Sequence, residues 1–381
     1  MKEKHIADSH FPSRALISKQ AFVHNLRQTK KLAGAAEVMA VVKADAYGHG
    51  AYQIGQWALD AGIRWLAVAQ LGEAIELRKA LGQRGRMLAL IADPSAPFAE
   101  ALELGIDLSL GSAWALAEIT AAAEHTGKPA RVHIEVDTGM ARGGFTLQEF
   151  RELVPQIMRC VRQGVLETVG LWSHFACADE LSSPATEKQI QIFETAKRIA
   201  AEAGMEIEYF HIAASSALLW HPESRYSMVR PGAILYGISP EPENATAEEL
   251  GFKPVMTLEA NLISVRDVPA GTGVSYGHTA VTEKEMRLAT VPLGYADGIP
   301  RHASNTAQVM LHGRRRNICG RVCMDQFVIA ADGADPGDTV TLFGSADAGN
   351  PTADEWAKHC DTIGYEIVCR LGVRVPRYYV D

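Results

Sequence analysis

The sequence predicts an N-terminal (β/α)8 TIM barrel, residues 13–240, followed by a mostly β C-terminal domain, residues 251–381. The first observation is that eight short apolar runs alternate with helical segments, which is typical of a parallel barrel. The second is a change to a period of two beyond Pro240, which is typical of half-buried strands. The third is size, because 381 residues, 47% of them hydrophobic, are enough for two cores. Residues 1–12 are expected to form a loosely held arm.

The barrel elements follow in order from the apolar pattern. Ser18 is the predicted cap of a first helix that runs to about Leu32. The predicted strands are 38–42, 65–69, 87–91, 106–110, 131–136, 168–173, 208–213 and 227–231. The predicted helices between them are 51–61, 72–81, 97–104, 112–125, 146–159, 185–203 and 216–220. Pro231 ends the eighth strand, where it removes one ladder donor.

The second domain begins after an acidic loop that follows Pro240. Its apolar alternation predicts strands within 255–268, 288–293, 308–311, 322–330 and 339–343. One helix is predicted near 352–359. The basic run Arg314-Arg315-Arg316 is interpreted as a solvated turn.

Composition excludes several classes of function. The chain has 37 basic and 45 acidic residues, which argues against a nucleic-acid groove because phosphate binding needs a basic face. No apolar run reaches membrane-spanning length, and Met1 to Phe11 is too charged for a signal peptide. Six cysteines without a CxxC pair favour reduced thiols and a cytoplasmic protein.

Lys43 stands directly after the buried run Val38 to Val42 and before Gly48 and Gly50. A lysine at the tip of a barrel strand faces the pocket, and desolvation lowers the pKa of an amine toward the range where its neutral form reacts. A Schiff-base lysine needs such a position. A solvated lysine in a βα loop is an equally open interpretation of these residues alone.

Other polar residues follow the remaining strands at the same end of the barrel. They are Asp137, Arg142, His174, Ser215, Ser216 and Arg230. Small residues and helix N-termini after strands seven and eight favour a phosphate site, with Ser216 and Gly232 as candidates. A phosphate beside a Schiff-base lysine points to pyridoxal 5′-phosphate as the cofactor. Helix capping by the two serines and a surface ion pair for Arg230 are the plainer alternatives.

Arg230 lies between Val229 and Pro231, so it is unlike a solvated arginine. Most pyridoxal enzymes place a carboxylate at the pyridine nitrogen. A permanent cation there opposes protonation of the ring, because like charges in contact disfavour each other. The ring is then a weaker electron sink, which suits the removal and return of a single proton.

Several further stretches form an ordered set with the one around Lys43, which reads Val-Val-Lys43-Ala-Asp-Ala-Tyr47-Gly-His-Gly. The others are Val-Asp137-Thr-Gly-Met-Ala-Arg142, Ser-His174-Phe, Val-Arg230-Pro-Gly-Ala, Gly-Val-Ser-Tyr276-Gly, Gly-Tyr295-Ala-Asp-Gly, Cys323-Met324-Asp325 and Gly-Tyr365-Glu. Together these stretches resemble the alanine racemase family of fold-type III pyridoxal-phosphate enzymes. The match runs in order from about residue 13 to the C-terminus.

The resemblance implies interconversion of L-alanine and D-alanine, which supplies D-alanine for cell-wall peptidoglycan. It implies a homodimer with active sites at the interface, and no nucleic-acid or membrane partner. Lys43 is expected to hold the cofactor and to act as base on one face, with Tyr276 of the partner subunit as base on the other. Cofactor contacts are implied for Tyr47, His174, Ser216, Arg230, Gly232, Ala233 and Tyr365. Substrate contacts are implied for Arg142 and Met324, and support or entrance roles for Glu135, Cys323, Asp325, Tyr295 and Arg301.

Two opposed bases are chemically coherent with this reaction. Inversion needs a proton removed from one face and delivered to the other. A tyrosine is ordinarily too weak an acid–base group near neutrality, so a neighbouring cation or polar partner is expected in the assembled site. An exposed turn tyrosine is the plainer interpretation of Tyr276.

Three positions depart from many relatives. Glu135 stands where they have a lysine that carries a carbamate, and we expect it to pair directly with Arg142 and to make carbon dioxide unnecessary. His133, Glu135 and Asp137 share one strand face, but this spacing is a weak metal signal and no metal is expected. Ser215 and Ala233 differ from residues common in relatives, which leaves serine or a broader substrate range open. One methylene in a pocket is worth only about 1–3 kcal/mol.

Other functions remain as alternatives. A basic-amino-acid decarboxylase of the same fold class needs an acidic residue at the pyridine nitrogen, which Arg230 argues against, and a catalytic cysteine, for which Cys323 is the candidate. A pyridoxal-phosphate carrier without turnover lacks the second domain. A sugar-phosphate barrel enzyme forms no Schiff base, so borohydride-sensitive absorbance excludes it.

Overall fold

The structure is a computed structural model that describes residues 10–381, which form two units. One unit holds residues 26–46 and 51–235, and the other holds residues 10–25, 47–50 and 236–381. Most of the predicted arm, residues 1–12, lies outside the described residues. The chain begins with strand β1 (Ser13–Ser18) and helix α1 (Lys19–Ala33). Ser18 caps this helix as predicted, because the N–H of Ala21 donates to its Oγ at 3.1 Å.

The first unit is an eight-stranded parallel barrel, which confirms the predicted fold class. Its strands are β2 (Glu37–Val41), β3 (Trp65–Val68), β4 (Arg86–Ala89), β5 (Asp107–Leu110), β6 (Ala130–Glu135), β7 (Leu166–Trp172), β8 (Tyr209–His211) and β9 (Met228–Val229). They pair in the order β8-β7-β6-β5-β4-β3-β2-β9. Most strand residues are buried on both faces, which is why each strand reads as a continuous apolar run.

The barrel is nearly closed between β8 and β9. The N–H of Phe210 donates to Ser227 Oγ at 2.8 Å, and the N–H of Arg230 donates to Ala213 O at 2.9 Å. These two bonds replace a ladder at the seam and hold Arg230 at the end of β9.

Helices connect the strands as predicted. They are α2 (Lys43–Gly48), α3 (Ala51–Asp60), α4 (Leu71–Leu81), α5 (Phe98–Glu103), α6 (Ala113–Thr126), α7 (Leu147–Arg162), α8 (Ala185–Glu202) and α9 (Ser215–Trp220). Among these barrel helices only α2 was not predicted. Within residues 10–381 no helix combines the length and the apolarity that a bilayer crossing requires.

The second unit is mostly β. Its later strands are β10 (Met256–Asn261), β11 (Ser264–Val268), β12 (Gly273–Val274), β13 (Ala280–Val281), β14 (Met286–Val291), β15 (Gln308–Leu311), β16 (Arg314–Asn317), β17 (Phe327–Ala330), β18 (Thr339–Phe343) and β19 (Arg377–Val380). They form a six-stranded sheet in the order β16-β15-β18-β10-β1-β19, a three-stranded sheet β11-β14-β17 and the pair β12-β13. Helices α10 (Ala353–His359) and α11 (Gly364–Cys369) complete the unit.

The interpretation of Arg314-Arg315-Arg316 as a turn is wrong. These residues form β16, which pairs with β15 through Val309 and Arg316. Arg315 pairs with Glu355 at 2.8 Å. The sequence of β16 does not alternate between polar and apolar residues, so it gives no sign of a strand. Pairing with β15 and the ion pair of Arg315 stabilise this strand instead.

Candidate active site

Lys43 stands at the start of a left-handed turn. The φ angles of Ala44, Asp45, Ala46 and Tyr47 are 53°, 52°, 53° and 55°. This conformation costs about 1–2 kcal/mol per residue when a Cβ is present, so the surroundings must hold it.

Two carboxylates hold the turn. Asp45 Oδ1 accepts from the N–H of Ala51 at 2.7 Å, and Glu73 Oε1 accepts from the N–H of Ala44 at 2.7 Å. Glu73 lies in α4, and its Oε2 also accepts from the N–H groups of Ala69 and Gln70, each at 3.0 Å. The backbone next to Lys43 is therefore tied to the following βα connection.

Arg230 is buried at the end of β9, with 3% of its surface exposed. Its Nη1 donates to His211 Nδ1 at 2.9 Å and to His211 O at 2.8 Å. Its Nη2 donates to Ser173 O at 2.7 Å and to His174 Nδ1 at 3.1 Å. Burial lowers the pKa of Arg230 to about 9, with Glu135 opposing and Arg142 adding to the shift. None of these four hydrogen bonds uses its Nε, which leaves that donor for a ligand.

His174 is a neutral imidazole beside this guanidinium. Burial, together with the charges of Arg230, Arg142 and Lys43, lowers its pKa to about 3. Its backbone carbonyl accepts from Gln189 Nε2 at 2.9 Å. The barrel thus brings together the predicted residues Lys43, Arg142, His174 and Arg230.

The predicted phosphate residues lie after β8 and β9. Ser215 Oγ accepts from the N–H of Gly232 at 3.0 Å, so this N–H is engaged within the barrel. Ser216 lies in the first turn of α9 and is half-buried. Ala233 begins a 3-10 turn and is buried.

Glu135 and Arg142 do not form the direct ion pair that was expected. In the part of the chain that the structure describes, Arg142 acts on Glu135 only as a nearby charge, without a hydrogen bond between them. Burial raises the pKa of Glu135 to about 7, although the charges of Arg230 and Arg142 oppose the rise. Arg142 is exposed, whereas Glu135 is partly buried, so their interaction is electrostatic and does not involve direct contact.

The suggested metal face does not form a metal site. Asp137 Oδ1 instead accepts from the N–H groups of Gly139, Met140 and Ala141, at 2.8, 3.0 and 3.2 Å. Over residues 10–381 there is no group of three or more histidine, cysteine or acidic residues arranged to hold a metal ion.

In the second unit Tyr47 and Tyr365 lie close together. Tyr47 stacks on Tyr236 with ring centroids 4.7 Å apart, and the rings of Tyr47 and Tyr365 are 6.0 Å apart. Burial raises the pKa of Tyr47, and Tyr365 adds to the shift, so Tyr47 stays a neutral hydroxyl. His49 Nδ1 contacts Tyr47 O at 2.8 Å, which fixes the end of the turn.

Tyr276 begins a 3-10 turn in the second unit and is 71% exposed. Ser275 before it has φ 61°, and its Oγ donates to Arg321 O at 2.7 Å. The same Oγ lies 3.3 Å from Cys323 Sγ, so Cys323 supports the turn that presents Tyr276.

Met324 and Tyr295 lie on adjoining loops. The N–H of Tyr295 donates to Cys323 O, and the N–H of Ala296 donates to Met324 O, each at 3.0 Å. A Cβ at Gly294 would lie 2.3 Å from both carbonyls, so only glycine permits this approach. Met324 is 53% exposed.

One arginine that was not predicted holds these loops. Arg374 Nε donates to Asp297 Oδ1, and its Nη1 donates to Asp325 Oδ1, each at 2.8 Å. Asp297 Oδ2 in turn accepts from the N–H of Gly294 at 2.9 Å. Arg301 lies on a separate exposed 3-10 turn. The tripeptide around Asp325 was a sequence signal for this clamp, but nothing in the sequence pointed to Arg374.

Comparisons with known proteins match nearly the whole chain. Residues 17–240 match the family profile "Alanine racemase, N-terminal domain", and residues 255–379 match "Alanine racemase, C-terminal domain". The alanine racemase of Beutenbergia cavernae is 48% identical over 373 residues, which cover 97% of this chain and 98% of that protein. The alanine racemase of Streptomyces coelicolor is 45% identical over 381 residues, with 98% and 97% covered. The crystal structure of alanine racemase from D-cycloserine-producing Streptomyces lavendulae superposes with a TM-score of 0.96 at 44% identity, and each chain is 98% covered.

Proposed function

Because this chain belongs to the alanine racemase family, we propose that it interconverts L-alanine and D-alanine with pyridoxal 5′-phosphate, using Lys43 and Tyr276 as the two bases. The observation that carries the proposal is Arg230, a buried arginine, and not a carboxylate, at the mouth of the barrel beside a neutral His174. A decarboxylase of the same fold class needs the opposite charge at this point.

The donors of the barrel fit the cofactor. Arg230 Nε is the donor left over after four contacts of 3.1 Å or less, and it suits the pyridine nitrogen. The N–H of Ala233 and the hydroxyl of Ser216 suit the phosphate, because both stand at the start of a helical turn. Tyr47 and Tyr365 supply two further hydroxyls, and His174 supplies a neutral ring for stacking.

The bound cofactor supplies an electron-withdrawing ring that weakens the Cα–H bond of the amino acid. Lys43 holds the cofactor and takes or returns the proton on one face. Arg230 remains a cation near neutral pH and opposes protonation of the ring nitrogen. The electron sink stays weak, which favours return of the proton over side reactions.

Tyr276 requires a second copy of the chain. Its ring is 71% exposed in a single chain, as are large parts of Met324 and Tyr295. Exposed apolar side chains grouped on adjoining loops are typical of an interaction surface. We infer a homodimer in which Tyr276 of the partner subunit acts on the second face and the partner's Met324 binds the substrate carboxylate through its N–H. Arg142 completes the substrate contacts, and Tyr295 and Arg301 shape the entrance.

The proposed role is the supply of D-alanine for peptidoglycan. The proposed location of the enzyme is the cytoplasm. All six cysteines are free thiols, which is consistent with a reducing compartment. We also propose that the barrel domain spans residues 13–240 and that the β-rich domain spans residues 251–381.

The test is a chirality assay of the purified holoenzyme with single L-amino acids. We expect racemisation of L-alanine, a visible Schiff-base absorbance, and loss of both in Lys43→Ala. Lys43→Arg is the matched control, because it keeps the cation without a Schiff-base amine and should be equally inactive. Racemisation that survives in either variant, or release of carbon dioxide from lysine or ornithine, contradicts the proposal. Rates with L-serine measure the substrate range.

A further inference from the structure

A chain of buried polar side chains runs through the barrel away from Arg230. Arg230 Nη1 lies 2.9 Å from His211 Nδ1, and His211 Nε2 lies 2.8 Å from His133 Nδ1. His133 Nε2 then lies 3.6 Å from Asp107 Oδ2. His211, His133 and Asp107 have no exposed surface. The chain therefore joins strands β8, β6 and β5 in the barrel interior.

Charges at its two ends, Arg230 and Asp107, set the proton order along this chain. A guanidinium only donates hydrogen bonds, so His211 Nδ1 must accept. Burial lowers the pKa of His211 well below its ordinary value and also lowers that of His133, so both rings are neutral. A neutral His211 then carries its proton on Nε2 and donates to His133 Nδ1. His133 in turn carries its proton on Nε2, which faces Asp107.

Asp107 is held as an anion at the far end. Arg131 Nε donates to its Oδ1 and Arg86 Nη2 donates to its Oδ2, each at 2.7 Å. Burial raises the pKa of Asp107, but His133 and the two arginines outweigh it and hold the pKa below its ordinary range. An ionised carboxylate only accepts, so every donor in the chain points toward Asp107.

The barrel is built to admit His133. The register of β6 against β7 shifts between Val132 and His133, where Gly170 faces the histidine. A Cβ at Gly170 would lie 2.3 Å from His133 Nδ1. Buried polar groups are costly in a core that apolar side chains fill equally well, so a chain with a dedicated bulge and glycine points to a use for orientation.

We propose that Asp107 is a positioning residue for the reaction, which sets the proton order of His133 and His211 and so keeps an acceptor facing Arg230. Without the anion, His133 is free to carry its proton on Nδ1, where it opposes the Nε2 proton of His211. His211 relieves that conflict by moving its own proton to Nδ1, which then opposes the Arg230 guanidinium. The catalytic consequence rests on the proposed place of Arg230 at the pyridine nitrogen, whereas the tautomers themselves do not.

The experiment compares Asp107→Asn with Arg131→Gln in the holoenzyme. Arg131→Gln removes a charge from the same cluster but leaves an anion facing His133, so it is the matched control. Nitrogen NMR of protein with isotope-labelled histidine reports which ring nitrogen carries each proton. We expect both rings protonated on Nε2 in the parent and in Arg131→Gln, and a mixed population in Asp107→Asn. We also expect a shifted cofactor absorbance and a roughly tenfold lower kcat/KM in Asp107→Asn only, the size typical of coupled contacts.

Unchanged tautomers in Asp107→Asn overturn the proposal, whatever the activity. Changed tautomers with parental absorbance and kcat/KM overturn the link to Arg230. Failure of the proposed function is distinct, because the parent protein then lacks the Schiff-base absorbance and racemisation.

A second pair of variants serves if Asp107→Asn does not fold. His133→Asn presents an amide oxygen near the Nδ1 position and should keep the parental tautomer of His211. His133→Leu presents no acceptor for the Nε2 proton of His211 and should shift part of the His211 population to the Nδ1-protonated form. The same His211 tautomer in both variants contradicts the proposed coupling from Asp107 through His133 to His211. A change in the His211 tautomer when Asp107→Asn is added to His133→Asn also contradicts it.

Discussion

Glu73 Oε1 accepts a hydrogen bond of 2.7 Å from the N–H of Ala44, the residue that follows the proposed cofactor lysine. Ala44 is the first of four consecutive non-glycine residues with positive φ in this turn. A carboxylate from a neighbouring helix thus stabilises a backbone conformation that is unfavourable by itself.

Replacement of Glu73 by alanine is expected to loosen this turn. It leaves the N–H groups of Ala44, Ala69 and Gln70 without their acceptor, and each such hydrogen bond contributes about 0.5–1.5 kcal/mol. We expect a lower free energy of unfolding in urea and a weaker Schiff-base absorbance at a given cofactor concentration. Glu76→Ala is the control, because Glu76 lies on the same helix and is exposed. Equal stability of the two variants contradicts the role of Glu73.

The barrel was predictable because its strands are buried on both faces. The run Val38 to Val42 corresponds to β2, and 65–69 corresponds to β3. Such continuous apolar runs can be recognised as strands from the local sequence alone. Strand β1 cannot be recognised in this way, since its partners are β10 and β19, more than two hundred residues away. Its existence depends on those long-range pairings.

The site residues divide in the same way. Lys43 and Arg230 follow buried strands, so their place at the barrel mouth could be inferred from position alone. The left-handed turn of Ala44 to Tyr47 could not, because no local preference favours positive φ in four such residues. His133 and His211 appear in sequence as isolated polar residues within strands, and only the closed barrel brings them within 2.8 Å.

Glu135 predicts a pH dependence of stability. Burial raises its pKa to about 7 in the folded chain, from about 4.3 in an unfolded chain. Between these values the folded state binds the additional proton, so stability falls as the pH rises through the folded pKa. We expect Glu135→Gln to be more stable than the parent above pH 7 and equal to it below about pH 4. Melting temperatures across this range measure the difference.

The control for this prediction is Glu206→Gln, because Glu206 is exposed and the exchange should leave the pH profile unchanged. If the melting temperatures of Glu135→Gln and of the parent change with pH in the same way, the raised pKa of Glu135 is contradicted. Since Glu135 is already an acid, we also expect racemisation to be independent of added bicarbonate. A clear dependence on bicarbonate contradicts the proposal that Glu135 replaces a carbamylated lysine.

Gly170 predicts a steric effect on stability. An alanine there would bring Cβ to 2.3 Å from His133 Nδ1 and 2.9 Å from His133 Cγ. His133 has no exposed surface and cannot move aside without breaking its bond to His211. We expect Gly170→Ala to lose about 1–3 kcal/mol in chemical denaturation. Gly72→Ala in α4 has open space around the new methyl group and should be neutral or stabilising. Equal effects of both substitutions would mean that the space beside His133 is not constrained.

Tyr276 predicts an asymmetry between the two enantiomers. Racemisation rates cannot reveal it, because L-alanine and D-alanine have equal free energies and the ratio of kcat/KM for the two directions is fixed. Exchange of the α-hydrogen with deuterium from the solvent can, since it reports each face separately. In Tyr276→Phe we expect one enantiomer to exchange through Lys43 without inverting, while the other exchanges far more slowly.

Tyr295→Phe is the matched control for Tyr276→Phe, because it also removes a hydroxyl from an exposed tyrosine of the second unit. In Tyr295→Phe the α-hydrogens of both enantiomers should still exchange with solvent deuterium. Comparable exchange of both enantiomers by Tyr276→Phe would remove Tyr276 from the role of second base. Mixing inactive Tyr276→Phe with inactive Lys43→Ala then tests the inferred dimer, because a mixed dimer joins one intact Lys43 to an intact Tyr276 of the partner subunit. Activity recovered on mixing supports a site shared between two chains, and its absence under conditions of subunit exchange contradicts it.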